Sequence, residues 1–324
     1  MTTVVRPARA TRWRGFAVMG VLACAAGLAP AQGVALKAQR VTDDVWLVQG
    51  EAAMGSAANR NFISNAAFVV TGDGVIVIDA LGSPALAEEL VAEIRRITPQ
   101  PIRHVIVTHY HADHIYGLQV LVAAGATVIA HRAARDYLQS ETAQRRLEAS
   151  RQDLFPWVDE STRLVGADRW LDDDDTLLRV GGFDFRLRHA GPAHAPEDVV
   201  IYLPQRQVLF AGDLVFQGRI PFVGGADSRR WIESIGHLIE FQPRFLVSGH
   251  GPVSSDPATD LALTRDYLSH LRRTMGEAAA LLEPFDEAYA RTDWSRFERY
   301  PLFRAVNRMN AYNTYLLMEQ QGSK

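Results

Sequence analysis

The chain has 324 residues, 48% hydrophobic and 22% charged, with a formal net charge of −3. That balance excludes a disordered or collagen-like chain, and the absence of any basic block excludes nucleic acid as the main partner. Cys24 is the single cysteine, so neither a disulfide framework nor a C-x-x-C site can form; a chain this long buries about three quarters of its unfolded surface without such staples.

Arg6, Arg9, Arg12 and Arg14 precede an apolar stretch from Phe16 to Leu28, and Ala29-Pro30-Ala31 follows it. A basic segment, a short apolar run and an A-x-A site are the layout of a secretory signal peptide, and the run is too short to span a bilayer. Val21-Leu22-Ala23-Cys24 offers a competing lipobox, but Leu22 fits that pattern poorly. The expectation is a periplasmic or secreted protein cleaved after Ala31. The remaining 293 residues would hold 30 Lys and Arg against 37 Asp and Glu, a net −7, with no stable membrane insertion.

Beyond that leader, Trp46 to Val48 and Asn65 to Val70 predict strands, separated by a Gly, Ala, Ser and Asn-rich segment, 51–64, that predicts a mobile loop. Thr71-Gly72-Asp73-Gly74 predicts a turn into a strand from Val75 to Asp79. Ser83 can cap a helix through Arg96. His104 to Val107 and Ala126 to Ala130 are short buried strands, the second followed by a helix around 132–150. Residues 176–189 form a hairpin about Gly181-Gly182, strands follow at 198–203 and 207–211, Asp227 or Ser228 opens a helix through Ile239, and Phe245 to Val247 is a last strand. The alternation favours an α/β fold of two packed sheets with helices outside. From residue 256 the character changes: 257–283 and 301–319 read as helices of a cap covering 256–324. The run Asp172 to Asp175 lacks the Gly and distal Glu of a calcium loop and reads as a solvated turn.

The strongest chemical signal is His109-Tyr110-His111-Ala112-Asp113-His114, directly after a buried strand. Three His and one Asp within six residues at a strand end are hard to explain as packing, and two His two apart on extended backbone face one side. Gly191-Pro192-Ala193-His194, Ala211-Gly212-Asp213 and Ser248-Gly249-His250-Gly251 each set one ligand-type residue beside glycine at the end of an apolar strand. Together these give seven potential ligands, a number that suits two metal ions sharing a carboxylate.

This set, in this order, resembles the metallo-β-lactamase superfamily over about residues 40–255. The resemblance implies an αβ/βα sandwich of two mixed sheets with the site at one edge. It implies His109, His111 and His194 on one metal, Asp113, His114 and His250 on a second, and Asp213 bridging them. Asp at 213 and the lack of any cysteine after the leader exclude the cysteine-ligand lactamases, and Asp213 puts β-lactam hydrolysis in doubt. The His109 to Gly117 tract, the exported N-terminus and the helical tail look most like SoxH-like, quinoprotein-associated periplasmic metallohydrolases. Imidazole and carboxylate ligands suit zinc, two ions per chain, although iron and manganese also fit. The implied reaction is hydrolysis of an ester, thioester, lactone or lactam carbonyl of a small molecule by a metal-bridging hydroxide, with Asp113 orienting the nucleophile and passing a proton to the leaving group. A mononuclear-iron persulfide dioxygenase, a β-lactamase, and a binding module that has lost catalysis are the alternatives. His104, His131, His189, His237 and His270 read as structural or exposed; Tyr116 and Phe222 are expected on the wall of the site.

Overall fold

The structure is a computed structural model that describes residues 1–3 and 36–322. The chain divides into two units, Met1–Gln32 and Gly33–Lys324, and the strands and helices of the described residues all lie in the second. The signal peptide expected over 1–31 lies, beyond residue 3, outside the described residues.

In chain order, β1 (Ala38–Thr42), β2 (Val45–Val48), β3 (Ala66–Thr71) and β4 (Gly74–Ile78) run antiparallel. Helix α1 (Pro84–Ile97) follows, then β5 (Ile102–Ile106), α2 (Ala112–Ile115), α3 (Leu118–Ala123), β6 (Thr127–His131), α4 (Ala134–Leu138), α5 (Glu141–Asp153) and β7 (Arg169–Leu171). Strands β4 to β7 pair in parallel, completing a seven-stranded mixed sheet in sequential order. The second sheet takes β8 (Asp175–Val180), β9 (Phe183–His189), β10 (Val199–Leu203), β11 (Val208–Phe216) and β12 (Phe245–His250) in the order β12-β11-β10-β9-β8, parallel only between β11 and β12. Helix α6 (Ser228–Leu238) links those two strands, and α7 (Pro257–Ala280), α8 (Phe285–Arg291) and α9 (Phe303–Gly322) close the chain.

Side-chain alternation makes the layers. Along β4, Ile76 and Ile78 join the core between the sheets, where they meet Phe185, Ile201 and Phe210, while Val75 and Val77 turn outward to Leu86, Leu90 and Ile94 of α1. In the second sheet Val208 and Phe210 face inward, and Leu209 and Ala211 face Trp231, Leu268 and Met275 on α6 and α7. A period of two with both faces apolar is what a sheet covered by helices on one face and by a second sheet on the other demands. This is the αβ/βα sandwich expected from the sequence.

Four details differ from expectation. The helix foreseen over 132–150 is two, because Ser140 turns the chain and its hydroxyl accepts the Ala143 N–H at 3.2 Å, a cap worth about 1 kcal/mol. The edge strands β1 and β7 escape a hydrophobicity reading because they are short and half polar. The cap contains three helices rather than two, and it packs on the second sheet through Tyr267, Leu268 and Val306. The loop expected to be mobile is tied across its own neck: Glu51 N–H donates to Phe62 O at 2.8 Å and Asn61 N–H to Ser56 O at 3.0 Å, with Arg60 and Asn61 in the left-handed region. Among the described residues no helix is long and apolar enough to cross a membrane.

Candidate metal centre

All seven residues singled out in the sequence come together at one edge of the sandwich. Asp113 and His114 sit on the short helix α2, with His111 just before it, and the others are delivered by the end of a strand or the turn after it. Asp213 is the exception: β11 runs on to Phe216, so Asp213 lies inside the strand rather than at its end. Gly212 has φ of +51° and the pairing with β12 slips on either side of it, which is how one residue of a fully paired strand is turned into the site. The neighbouring strand yields the space: a Cβ on Gly249 would stand 1.9 Å from Asp213 Oδ1.

The ligand atoms form two groups. His109, His111, His194 and Asp213 place one atom each within 4.8 Å of one another, and so do Asp113, His114 and His250. Asp213 Oδ2 is 3.4 Å from His194 Nε2 and 3.8 Å from His109 Nε2, on the first group, and 3.2 Å from His250 Nε2, on the second; Oδ1 is 3.3 Å from His114 Nε2. Asp113 Oδ2 is 3.3 Å from His250 Nε2 and 3.6 Å from His114 Nε2. A zinc ion with ligands at about 2.0–2.1 Å in a tetrahedron has ligand-to-ligand edges of about 3.3 Å, so the spacing fits. Among the ligand atoms facing the centre, His109 Nε2, His114 Nε2 and Asp213 Oδ1 are buried without hydrogen-bond partners. Three such orphans in one cluster are costly unless a ligand satisfies them. Donor set, spacing and orphaned atoms all fit divalent metal.

Neighbours fix which nitrogen faces inward. Asp79, at the end of β4 and itself at φ +59°, accepts the Thr108 N–H at 2.8 Å, the Thr108 hydroxyl at 2.8 Å and His114 Nδ1–H at 2.9 Å. With its proton given to Asp79, the Thr108 hydroxyl accepts from His109 Nδ1–H at 3.0 Å. His250 Nδ1–H donates to Ile63 O at 2.6 Å. His109, His114 and His250 therefore all present an Nε2 lone pair, the outer hydrogen bonding that ligating histidines need. Asp198 accepts Ala195 N–H at 2.7 Å and shapes the His194 turn, Glu197 accepts Tyr110 N–H at 2.9 Å, and Asn65 donates to Ser248 O and Gly251 O, both at 2.8 Å. Phe216 stacks on the His250 ring at 4.9 Å, and Trp231 meets His194 edge-on at 4.9 Å.

The sequence reading misses Asp79, Thr108 and Arg219. Asp79 carries the signal that flags Asp213, a lone acid closing an apolar strand, but it has no glycine beside it. Arg219 is buried with Nη1 3.2 Å from His250 Nδ1. Both atoms carry hydrogen, so this is an approach without a hydrogen bond, and Arg219 Nε has no partner. Of the expected wall residues, Tyr116 is in the core, its hydroxyl donating to Ser150. Phe222 is exposed beside Gly224.

Without metal the two groups differ in charge. Burial and the neighbouring His114 hold His109 well below the ordinary histidine value, and burial carries His194 down to about 3. At His114 burial pulls the same way, but Asp213, Asp113 and Asp79 outweigh it and push it well above 6.5; His250 is raised likewise, chiefly by Asp213 against its burial. Asp113 and Asp213 are held below the carboxylate range, their burial outweighed by the imidazoles of His114 and His250. A metal must displace the protons of raised histidines and none from depressed ones. Calorimetric titration with Zn2+ at pH 7 in buffers of different ionisation enthalpy should therefore show more protons released at the Asp113 group than at the His109 group. Affinity at the Asp113 group should rise with pH. Equal proton release at both groups would contradict the assignment. Asp79→Asn, which removes the charge behind His114, should weaken metal retention by about 10–100-fold without unfolding the chain, as loss of an outer partner does elsewhere; metal-competition assays with a chelator measure it.

The metallo-beta-lactamase superfamily model matches residues 59–250, and the chain belongs to that superfamily. A linear primary-alkylsulfatase from Pseudomonas sp. (strain ATCC 19151) is 26% identical over 238 residues, 61% of this chain and 44% of the relative. A metallo-beta-lactamase type 2 from Bacillus cereus is 25% identical over 221 residues, 66% of this chain and 76% of the relative. Among solved structures, the inverting sec-alkylsulfatase Pisa1 from Pseudomonas sp. superposes with a TM-score of 0.67 at 18% identity, over 87% of this chain and 50% of that one. A metallo-beta-lactamase from Pontibacter korlensis does so with 0.57 at 24%, over 72% and 99%. The chain thus spans less than half the length of the alkylsulfatase it matches in sequence. The superfamily expected from the seven residues is the one found.

Proposed function

We propose that the chain is a dinuclear-zinc hydrolase that cleaves an ester, thioester, lactone or lactam carbonyl of a small molecule. The observation that carries this is Asp213, whose single carboxylate reaches both ligand groups. A pair of divalent ions supplies Lewis acidity and a hydroxide at neutral pH. The chain's own residues do the rest. His109, His111 and His194 would hold one ion, Asp113, His114 and His250 the other, and Asp213 would join them and offset their mutual repulsion. Asp113 is the more open of the two carboxylates, its side chain 17% exposed against 5% for Asp213. In this reading Asp113, held ionised beside His114 and His250, would orient the attacking water and pass on to the leaving group a proton taken from that water. Packed Phe216 and Trp231 hold the histidines in place.

A second reading is sulfate-ester hydrolysis. It is favoured by the alkylsulfatase relative, by the superposition on Pisa1 that extends over more of the chain than the lactamases do, and by Arg219, a buried cation beside His250 with no carboxylate partner among the described residues. Zinc-loaded protein assayed against a phenyl ester, an acyl thioester, a lactone, a chromogenic cephalosporin and an alkyl sulfate separates the readings. Turnover of a carbonyl substrate with two zinc ions per chain is expected. Turnover of the sulfate alone would give the second reading. One iron per chain with oxygen uptake would sink both in favour of persulfide oxidation. The N-terminal layout supports a periplasmic or secreted enzyme, and sequencing the mature protein should find Gln32 first; a lipid-bearing Cys24 would show a lipoprotein instead.

A further inference from the structure

Away from the main centre, three residues meet where the two sheets approach. His131 ends β6, His189 ends β9, and Asp174 lies in the turn between β7 and β8, its carbonyl accepting the His189 N–H at 2.7 Å. One ligand-type atom from each lies within 4.8 Å of the others. None of the three belongs to the centre described above, and the Asp172 to Asp175 run, a solvated turn by sequence, supplies the acid.

Hydrogen bonding leaves ligand positions open here. His189 Nε2 is 2.9 Å from Pro196 O, so Nε2 carries hydrogen and donates. Its Nδ1 then points a lone pair at Asp174 Oδ1 across 3.4 Å. A lone pair facing a carboxylate is repulsive unless a proton or a cation stands between them. The gap is longer than the about 2.7–2.9 Å of a charged N–H to carboxylate bond and close to the edge of a zinc tetrahedron, about 3.3 Å. The backbone carbonyl behind the ring is the outer partner that a ligating histidine requires. His131 is 4% exposed, and its Nε2 is buried without a partner. Burial and the neighbouring His189 carry it down to about 4, so the ring is neutral and able to bind metal at physiological pH. Asp174, 82% exposed at its side chain, gives an ion a way in.

We propose that His131, Asp174 and His189 form an accessory site for a divalent transition metal, zinc by its donor set, that ties the end of β6 to the end of β9. Two imidazoles and one carboxylate select zinc, nickel or copper over magnesium and calcium; the remaining positions fall to water on the exposed side. The His131 and His189 rings now lie face to face, 3.7 Å apart and 15° from parallel. Binding asks the His131 ring to turn out of that stack, at the cost of the long 3.4 Å contact from Ala133 N–H to its Nδ1.

The test is equilibrium dialysis of the full chain against Zn2+, with elemental analysis, in wild type, Asp174→Ala and His189→Ala. Wild type should hold one ion more per chain than either variant, whatever number the main centre retains, and turnover should be unchanged in Asp174→Ala. Co2+ absorption should lose one component in the same two variants. Asp174 is exposed, so its replacement does not threaten folding. Ion content identical in all three proteins would overturn the proposal and leave the histidines as a packing contact. The proposed hydrolase activity could fail while this difference persists, and the reverse, so the two stand or fall separately.

Discussion

Replacing Asp213 by Asn should remove at least one of two zinc ions and lower kcat by about 10² or more while the fold persists, the carboxylate being the one group that both ions would share. Asp213 Oδ1 has no hydrogen-bond partner and Oδ2 faces only histidines, at 3.2 to 3.8 Å. The group caps no turn. Were capping its role, the change would cost about 1 kcal/mol of stability and leave metal content alone. Asn keeps the shape and loses the charge, and its amide nitrogen cannot bind metal. With His194, His250, His109 and His114 arrayed about it, the site would then hold imidazoles with no bridging anion. Two divalent ions would repel each other with less to offset them. Elemental analysis, turnover and circular dichroism on this one variant decide the matter: two zinc ions with near-normal turnover would remove Asp213 from the centre.

The seven residues are legible because each follows or closes an apolar run in the sequence, and the segments that leave strands at one edge of a layered α/β fold must lie close together. Period-two apolar runs such as Val75 to Ile78 mark the strands, and Ser83 with Pro84 marks the start of α1. What escapes depends on contacts across the chain. Asp79 is meaningful only once β4 and β5 are paired and His114 returns above it, 35 residues later. The continuation of β11 past Asp213 depends on Gly212 adopting a left-handed conformation, which a glycine permits but does not announce. Residues 51–64 look loose by composition, yet the loop is closed by its own backbone bonds and by Trp157, whose indole N–H reaches Ala57 O at 2.8 Å from a hundred residues away. The acidic turn at Asp174 carries no sign of His131 and His189, because those three meet only after the two sheets are packed.

His194→Ala and His250→Ala should empty different halves of the centre. His194 closes the first group with His109 and His111, its Nε2 2.9 Å from His111 Nδ1; His250 closes the second with Asp113 and His114. Loss of an outer partner costs about 10–100-fold in metal affinity, and loss of a ligand should exceed about 100-fold at its own group. The other group should keep its ion with a smaller loss, passed on through Asp213. The two variants also differ in the charge they leave. His250 is a histidine raised above its ordinary value, so His250→Ala should lower the number of protons released on zinc binding. His194 is depressed, and its removal leaves proton release as in wild type. His194 packs on Trp231 and His250 on Phe216, so each truncation opens a gap beside an aromatic ring as well. His194→Gln and His250→Gln, which fill more of that space, separate packing from ligation: they should regain stability and leave the metal deficit in place. Two ions bound at wild-type affinity in either alanine variant would refute the division of the seven residues into these two groups.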